Sequence, residues 1–267
     1  MLSRTLGTIL LWLSLGSVSL AGEILVTLLM DDSYPPYSYQ QQGQAAGIYA
    51  EVLQAAEPLL KGYRLQLKPV PWRRGLAAIE AGRELALVPP YYRPLERPWI
   101  GPYSVPMLEE RLAVFCRAAV FEGDPRLRWP DDYRGLRFAN NMGFLLGGQP
   151  FWNYVQLGLI HVEEAPGTQA NLLKLVHQRV DCYLNDRISV LSELAQMRVA
   201  GLYDGNRHAV IVEGPSIAVE HGHVGFSNRV GPRFPYREDF ARQLDAALIQ
   251  LRQSGVIERI VQRYIQP

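Results

Sequence analysis

Two arginines and several aromatic rings stand together in residues 87–103, which read LVPPYYRPLERPWIGPY. An apolar, strand-like run ends there in Tyr91 and Tyr92, and Arg93 and Arg97 follow before a proline-rich turn. A strand that ends in such residues presents them at the edge of a sheet, where α/β folds bind small molecules. The planar guanidinium of Arg97 or Arg93 can bind a carboxylate through two parallel hydrogen bonds. The segment predicts one wall of a site for a small anion, although Arg97 could instead pair with the neighbouring glutamate or with solvent.

The first 21 residues have the layout of a secretory signal peptide. One early cation, Arg4, precedes an apolar stretch that ends in small residues near Ala21. This stretch is too short and wrongly flanked for a membrane-spanning helix, so we expect cleavage near Ala21 and export to the periplasm. A bacterial lipoprotein would carry a cysteine where Glu23 stands, and no lipid anchor is expected. No later apolar run is long enough to cross a bilayer, so no membrane insertion is expected after removal of the leader.

The mature chain is electrically balanced, which bears on its partners. Residues 1–21 contain one basic residue and no acid, so 26 of the 27 basic residues remain against 26 acidic ones. A balanced surface does not steer a protein towards nucleic acid or an anionic membrane, and neither partner is expected. A chain of this length is large for one core and suits two lobes of about 100 to 150 residues each.

The chain contains two cysteines, Cys116 and Cys182. An exported protein can join them in a disulfide. Since the sequence does not give their separation in space, we favour the interpretation that they are two buried thiols on separate strands. There is no cysteine pair with metal-site spacing, and His221 and His223 lack a third ligand. We expect no metal and no cofactor.

The first half of the chain alternates between strand and helix patterns. Residues 23–30 and 63–70 are typical of strands, because the first run is continuously apolar and the second alternates. Residues 47–60 and 72–81 carry apolar side chains at helical spacing, and Pro58 is expected to interrupt the first of these helices late. A further strand is expected at 85–89. The order strand, helix, strand, helix, strand predicts a parallel sheet covered by helices.

A second alternation begins after a strand-like run at 111–120 and a turn-rich segment at 123–135, which favours the start of a new unit. Its expected strands are 136–140, 159–165 and 180–184, and its expected helices are 151–157, 169–178 and 188–197. Two closing helices are expected at 239–253 and 256–264, separated by Gly255.

Four segments of the chain follow an order that one known family shares. They are the opening strand end with its Tyr-Pro-Pro loop at 31–56, the helix, strand and Pro-Tyr segment at 71–115, the strand QRVDCYLND at 178–186, and the closing helices at 245–265. In this order they resemble the amino-acid-type periplasmic solute-binding proteins of bacterial ABC importers. The resemblance covers essentially the whole mature chain.

The resemblance implies the type II periplasmic-binding fold. This is an α/β fold of two Rossmann-like lobes joined by a two-strand hinge, with the ligand cleft between the lobes. Lobe 1 would comprise residues 23–115 and 225–267, and lobe 2 residues 117–220, with the hinge near 115–117 and 220–225. A monomer that closes over its ligand is expected.

Individual site residues carry over from the motifs of the family. Arg97 matches the arginine that binds an α-carboxylate, and Asp186 matches the acid that accepts an α-ammonium. Tyr34 and Trp72 match positions that offer ring faces to the ligand. A zwitterion held by Arg97 from one lobe and Asp186 from the other would stabilise only the closed state. Asp186 could instead cap the helix that follows it.

Two stretches depart from the family pattern and make the expected pocket more aromatic. Residues 89–92 are Pro-Pro-Tyr-Tyr where small hydroxyl residues are usual, which brings Tyr91 and Tyr92 into the expected site. The Gly-Ser/Thr-Thr turn of lobe 2 is replaced by Gly143 and Phe144, followed by leucine. The backbone amides of this turn could still serve an anion. The ligand would be an aromatic or larger amino acid, or a different carboxylate.

Three further arginines stand close to these motifs. Arg73 and Arg74 follow the tryptophan of the second helix, and Arg93 lies four residues before Arg97. Each could contact the ligand or be a solvated surface residue, and the sequence leaves both interpretations open.

The resemblance implies a receptor without enzymatic activity. It would close on a small amino-acid-like or other carboxylate ligand and deliver it to a membrane permease of an ABC importer or to a sensor. The sequence has no GxSxG, P-loop or HExxH motif. The alternative is an exported enzyme on the same fold that resembles cyclohexadienyl dehydratase, which would need a carboxylic acid with a raised pKa in the cleft.

Overall fold

The computed structural model describes residues 22–123 and 125–265, so the signal peptide expected at residues 1–21 lies outside the described part of the chain. In chain order the elements are β1 (Ile24–Asp31), β2 (Ser33–Tyr34), β3 (Ser38–Gln41), β4 (Gln44–Ala46), α1 (Ile48–Ala56), β5 (Tyr63–Val70), α2 (Trp72–Glu80), β6 (Ala86–Val88), β7 (Ile100–Tyr103), β8 (Leu108–Arg117), β9 (Arg137–Asn141), α3 (Gly148–Gln156), β10 (His161–Ala165), α4 (Gly167–Val176), β11 (Cys182–Asp186), α5 (Arg187–Val199), β12 (Ile211–Gly222), β13 (Gly225–Ser227), α6 (Arg237–Gln253) and α7 (Val256–Ile265).

The first five-stranded sheet has the order β5-β1-β6-β13-β7. Strand β1 pairs in parallel with both β5 and β6, as the alternation of strands and helices predicts. The apolar run of β1 is buried because helices cover the sheet, and Leu28 and Met30 belong to one core cluster with Leu53 of α1 and Phe240 of α6. The part of the chain built on this sheet is lobe 1.

The second five-stranded sheet has the order β10-β9-β11-β8-β12 and forms lobe 2. Strand β9 is parallel to β10 and β11, whereas β8 pairs antiparallel with β11 and β12. The chain enters this sheet along β8 and leaves it along β12, and these are its longest strands. The α/β fold of two lobes is therefore as expected. The hinge positions near 115–117 and 220–225 stay a prediction.

The helix expected at 47–60 is interrupted late, as Pro58 predicts. Helix α1 ends at Ala56, and a single 3-10 turn at Glu57–Leu59 follows. The interruption arises because proline has no backbone N–H to donate to the preceding helical turn. In the described ranges, no helix combines the length and apolar composition that spanning a bilayer requires.

Cys116 and Cys182 form a disulfide, so the expectation of two separate thiols is wrong. The two residues do lie on different strands, but those strands are neighbours. Cys116 of β8 stands directly opposite Cys182 of β11 in the antiparallel pairing, with the Cα atoms 4.0 Å apart. Periodicity in the sequence predicts each strand but not which strands pair, and the bond depends on the pairing.

Replacement of both cysteines by serine is expected to lower the free energy of unfolding by about 2 to 4 kcal/mol, since the bond closes a long loop in the unfolded chain. The two cysteines are 66 positions apart in sequence. Urea unfolding of the double variant and of the oxidised wild type measures the difference, and the reduced wild type is the control. Equal unfolding midpoints for all three would contradict the prediction.

Candidate functional site

A cavity lies between the lobes at the carboxyl ends of the lobe 1 strands. This is the edge at which open α/β sheets bind ligands, because helices begin and loops diverge there. Strand β1 ends at Asp31, β6 ends just before Pro89, and α2 begins at Trp72 directly after β5. The cavity is lined by Asp31, Tyr34, Trp72, Pro89, Tyr91 and Arg97 from lobe 1 and by Phe144, Leu145 and Leu146 from lobe 2. The structure thus brings together five of the residues expected in the site, namely Tyr34, Trp72, Tyr91, Arg97 and Phe144.

Arg97 is buried in the wall of this cavity. It is 5% exposed, which excludes the interpretation of a solvated arginine. Its guanidinium lies 5.5 Å from the ring of Trp72 and donates a hydrogen bond of 2.8 Å to the carbonyl of Gly143. Burial lowers the pKa of Arg97 to about 10, so the group is still charged at neutral pH. Among the described residues Arg97 forms no ion pair, and a buried cation with a neutral acceptor attracts an anion.

Arg93 has a different role from Arg97. Its guanidinium forms a two-point ion pair with Glu220 of β12, with one contact of 3.2 Å between Nη1 and Oε2. This pair fixes the loop between β6 and β7 to β12 of the second sheet. The neighbouring Tyr92 is 60% exposed, packs against Tyr103 and does not line the cavity. Arg93 and Tyr92 therefore position the loop that carries Arg97.

Asp186 does not share a cavity with Arg97. It is the N-cap of α5, where Oδ1 accepts a hydrogen bond of 2.9 Å from the amide of Ser189. Its Oδ2 accepts another of 2.9 Å from the amide of Arg111. Asp186 is fully buried, and burial raises the pKa of its carboxyl. The helix-capping interpretation accounts for the contact with Ser189, and the amide of Arg111 in β8 occupies the second oxygen.

Asp31 is an acid of the cavity that the sequence reasoning missed. It is 3% exposed and lies at the carboxyl end of β1. Burial, more than the charge of the adjacent Asp32, raises the pKa of Asp31 to about 7. Its Oδ1 accepts a hydrogen bond of 3.0 Å from the amide of Ser33. A signal was present, because an acid directly after a buried parallel strand lies at the ligand-binding edge of the sheet.

A small second cavity adjoins the first and shares Asp31, Trp72 and Phe144 with it. Arg73 lines this second cavity, whereas Arg74 is exposed and lines neither. Of the two cations beside Trp72, only Arg73 is therefore within the cleft.

Glu110 of β8 accepts hydrogen bonds from three buried tyrosines. The hydroxyl of Tyr91 donates to its carboxyl group at 2.5 Å, and Tyr34 and Tyr49 donate as well. Tyr34 and Tyr91 also line the cavity, so Glu110 fixes the hydroxyls of two of its walls. Gly222 makes room for the cluster, since a Cβ there would lie 1.7 Å from the hydroxyl of Tyr49.

Glu110 is fully buried, and burial raises its pKa to about 8, with a smaller contribution from the negative charge of Asp186. The sequence contained a signal for its position. In β8 the side chains alternate, so that Leu108, Glu110 and Leu112 are buried and Glu109 is exposed. A carboxylic acid on the apolar face of a strand indicates a buried polar cluster.

The turn of lobe 2 that contains Gly143 contacts lobe 1 closely. Gly143 has a φ of +82°, and a Cβ at this position would lie 3.0 Å from Cγ of Arg73 and 3.4 Å from Trp72. Only glycine fits both the backbone angle and this approach. The amide of Gly143 donates to Glu164 at 3.0 Å, and the amide of Phe144 donates to a carbonyl of the same turn. These two amides are engaged within lobe 2, so the expectation that they serve an anion does not hold.

Contacts across the cleft are not confined to the cavity. The hydroxyl of Ser189 in α5 donates to the carbonyl of Pro35 at 2.7 Å, and Trp72 Nε1 donates to the carbonyl of Gly143 at 3.3 Å. The two lobes are therefore closed on one another. Within the described residues, no three His, Cys, Asp or Glu side chains are arranged to hold a metal ion.

The arrangement suits binding of a small charged molecule. One wall carries a buried guanidinium, another carries a carboxyl group that ionises near neutral pH, and aromatic rings lie between them. A molecule with both a carboxylate and a cationic group complements these charges.

Comparisons with solved structures show the same fold. A histidine kinase sensor domain with similarity to periplasmic binding proteins is 18% identical, with a TM-score of 0.73 over 91% of this chain and 96% of that chain. The arginine-, lysine-, histidine-binding protein ArtJ from Geobacillus stearothermophilus is 17% identical, with a TM-score of 0.66 over 91% and 95%. The GluR0 ligand-binding core from Nostoc punctiforme, in complex with L-glutamate, is 18% identical, with a TM-score of 0.65 over 91% and 99%.

Comparisons at the level of sequence identify the family. A search of curated protein sequences found no match. The family model described as bacterial extracellular solute-binding proteins, family 3, matches residues 26–267, which include every strand and helix of the two lobes except the first residues of β1. The protein therefore belongs to family 3 of the bacterial extracellular solute-binding proteins.

Proposed function

We propose that this protein is a periplasmic receptor that closes on a small amino-acid-like solute and passes it to a membrane permease or a sensor. The observation that carries the proposal is Arg97, a buried guanidinium in the cleft whose acceptor is the neutral carbonyl of Gly143. A carboxylate offers the guanidinium two charged oxygens and therefore binds it more strongly than a carbonyl does. The ligand thus carries a carboxylate that faces Arg97.

We propose that Asp31, and not Asp186, accepts the cationic group of the solute. Asp31 lines the same cavity as Arg97, whereas both oxygens of Asp186 already accept backbone amides. A cation next to Asp31 favours its ionised form and lowers its pKa on binding. The two charged walls then hold the two charged ends of one solute.

The aromatic walls of the cavity indicate which kind of side chain the solute carries. Rings of Tyr34, Trp72 and Tyr91 face the cavity and offer apolar surface and π-faces. Such rings favour an aromatic group or a guanidinium over a small polar side chain. Amino acids are also the ligands named for the arginine-, lysine-, histidine-binding ArtJ and for GluR0, two of the proteins with this fold.

Two proteins with this fold bear on the choice of membrane partner. One similar structure concerns glutathione import through GshT and the cystine ABC importer TcyBC of Streptococcus mutans. It is 15% identical, with a TM-score of 0.70 over 91% of this chain and 95% of that chain. In the histidine kinase sensor domain the same fold is part of the sensor itself, which links the fold to sensing. The proposal therefore includes either an importer or a sensor as the recipient of the solute.

A thermal-shift screen tests the proposal. The panel comprises arginine, lysine, histidine, glutamine, glutamate, phenylalanine and glutathione. A ligand at 100 times its Kd stabilises the folded state by about 2.7 kcal/mol, which raises the melting temperature measurably. At least one carboxylate-bearing compound is expected to do so. A folded protein whose melting temperature none of them changes would argue against the receptor.

Substitution of Asp31 by asparagine is expected to weaken the binding of amino acids, all of which carry a cationic group, about tenfold or more and to leave the binding of a carboxylate without a cationic group nearly unchanged. The affinity of the wild type for the cationic ligand is expected to fall as the pH drops below about 7, because Asp31 is then protonated before binding. Asp31→Asn removes this pH dependence. Asp32→Asn is the matched control, since Asp32 adjoins the site without lining the Arg97 cavity. Calorimetry that finds equal effects for both variants would reject the role of Asp31.

One observation favours the alternative of an enzyme on this fold, namely a cleft carboxyl, Asp31, whose pKa is raised to about 7. Such a group can donate a proton to a leaving hydroxyl at neutral pH. Incubation with prephenate and arogenate decides between the two functions. Formation of an aromatic product that Asp31→Asn abolishes would replace the receptor by the enzyme.

A further inference from the structure

The ring of Phe144 from lobe 2 lies among the aromatic walls of lobe 1. Its centroid is 5.4 Å from that of Tyr34 and 5.8 Å from that of Trp72, with interplanar angles of 86° and 74°. Both are edge-to-face arrangements, which are favourable for aromatic pairs. The slot formed by the rings of Tyr34 and Trp72 is therefore occupied by a side chain of the protein itself.

The residue before Phe144 occupies the charged part of the site. The carbonyl of Gly143 accepts hydrogen bonds from the guanidinium of Arg97 at 2.8 Å and from Nε1 of Trp72 at 3.3 Å. The dipeptide Gly143-Phe144 thus contacts both recognition elements of the cleft. Its carbonyl oxygen binds the Arg97 cation, and its ring lies between the aromatic walls.

Little room remains beside this dipeptide. The cavity lined by Arg97, Tyr34 and Phe144 has a volume of about 20 Å³ and the adjoining cavity one of about 60 Å³, so that the space next to Arg97 accommodates a water molecule and not an amino acid. A solute of the proposed class can enter only if Phe144 leaves the slot.

The turn that carries Phe144 is held in shape by lobe 2. The carbonyl of Phe144 accepts a hydrogen bond of 2.9 Å from Nδ2 of Asn140, and the amide of Gly143 donates to Glu164 at 3.0 Å. Leu146, two residues further on, is buried in the lobe 2 core. The turn is preorganised, so Phe144 enters or leaves the slot mainly by movement of lobe 2 as a whole or by rotation of its ring.

We propose that Gly143 and Phe144 act as a built-in competitor of the solute. They close the cleft in the absence of solute, and a solute binds by displacing them from Arg97 and from the Tyr34–Trp72 slot. The inference rests on the proposed function for the position of the solute site. It also specifies the solute class, because only a carboxylate with a flat aromatic or guanidinium-like group replaces both contacts at once.

The competitor changes how the receptor responds. Only those molecules in which Phe144 is out of the slot can bind the solute. Because the closed state reduces their fraction, it lowers the apparent affinity for the solute. Removal of the Phe144 ring is therefore expected to open the unliganded protein and to tighten binding.

The first arm of the test measures shape without solute. Small-angle X-ray scattering of the wild type, Phe144→Ala and Leu157→Ala gives the radius of gyration of each. Leu157 is the control, since it is a lobe 2 leucine that is 71% exposed and does not line the cavity. We expect the wild type and Leu157→Ala to be equally compact and Phe144→Ala to be expanded. A wild type as expanded as Phe144→Ala, or a Phe144→Ala that stays compact, would overturn the inference.

The second arm measures affinity by calorimetry with L-arginine, L-phenylalanine and L-glutamine as probes. Phe144→Ala is expected to bind the best probe about tenfold or more tightly than the wild type, and the control Leu157→Ala is expected to bind it within about twofold of the wild type. Weaker binding by Phe144→Ala would make Phe144 a wall of the solute site and overturn the inference. Phe144→Leu retains apolar packing against lobe 2 without the ring, and it replaces Phe144→Ala if circular dichroism finds the latter unfolded.

The two arms separate this inference from the proposed function. If none of the probes or the screened compounds binds to the wild type or to Phe144→Ala, the proposed function fails, and the scattering comparison still decides whether Phe144 closes the cleft. If a probe binds and Arg97→Ala abolishes its binding, the function stands. Equal affinities for the wild type and Phe144→Ala would then overturn the competitor alone.

Discussion

Replacement of Arg97 by alanine is expected to abolish binding of any carboxylate solute and to leave the fold intact. A buried, two-point contact between a guanidinium and a carboxylate contributes about 2 to 5 kcal/mol to binding, which corresponds to roughly 30-fold to several-thousand-fold in Kd. The fold does not depend on this side chain, because Arg97 is a buried cation without an ion-pair partner among the described residues. Its removal relieves the cost of burying that charge.

The measurement is calorimetry with the compound that gives the largest thermal shift. Arg97→Lys keeps the charge but cannot form two parallel hydrogen bonds, so an intermediate affinity is expected. Arg74→Ala is the matched control, because Arg74 is an exposed arginine that lines neither cavity of the cleft. If Arg97→Ala bound the solute as well as Arg74→Ala does, the anion would be recognised elsewhere.

Replacement of Glu110 by alanine is expected to be the most destabilising single change in the cleft. It leaves the hydroxyls of Tyr34, Tyr49 and Tyr91 buried without their acceptor. Each unsatisfied buried hydroxyl costs about 1 to 3 kcal/mol, so the sum is about 3 kcal/mol or more. Urea unfolding at neutral pH measures the loss. Glu109→Ala is the matched control, since Glu109 is the exposed neighbour on the same strand.

The same carboxyl group makes the stability depend on pH. Glu110 keeps its proton up to about pH 8 in the folded protein, whereas its ordinary pKa is 4.5. Between these values the folded state binds more protons than the unfolded state, so the free energy of unfolding falls as the pH rises and levels off above about pH 8. Glu110→Gln cannot titrate and is expected to flatten this decline. Unfolding curves at about pH 5, 7 and 9 measure this decline for both proteins. If the free energy of unfolding fell equally with pH in Glu110→Gln and in the wild type, the assignment of the decline to Glu110 would be refuted.

The regular elements of the fold could be predicted from the sequence because their signals are local. The alternation at 63–70 and the helical spacing at 72–81 correspond to β5 and α2 almost residue for residue. Proline at position 58 explains the early end of α1, and it too is a local signal. The two-lobe α/β class then follows from the order of these elements and from the family resemblance.

The site could be predicted only in part, because it depends on which segments meet in space. Arg97 and Trp72 lie in the cleft, where the family motifs assign them. Asp186 does not join them, since the amides of its own helix and of a neighbouring strand occupy its oxygens. The partners of Glu110 come from segments up to 76 positions away in the chain, and no local pattern indicates which tyrosines will surround it.

Because lobe 2 contains the disulfide bond between Cys116 and Cys182, its stability depends on the compartment in which the chain folds. Thiols stay reduced in the cytosol and are oxidised in the compartments outside it. A recombinant chain made in the reducing cytosol of an ordinary bacterial host would lack the crosslink, and its ligand titrations would describe a less stable molecule. Production under oxidising conditions gives the protein with the bond intact, which is the form to assay.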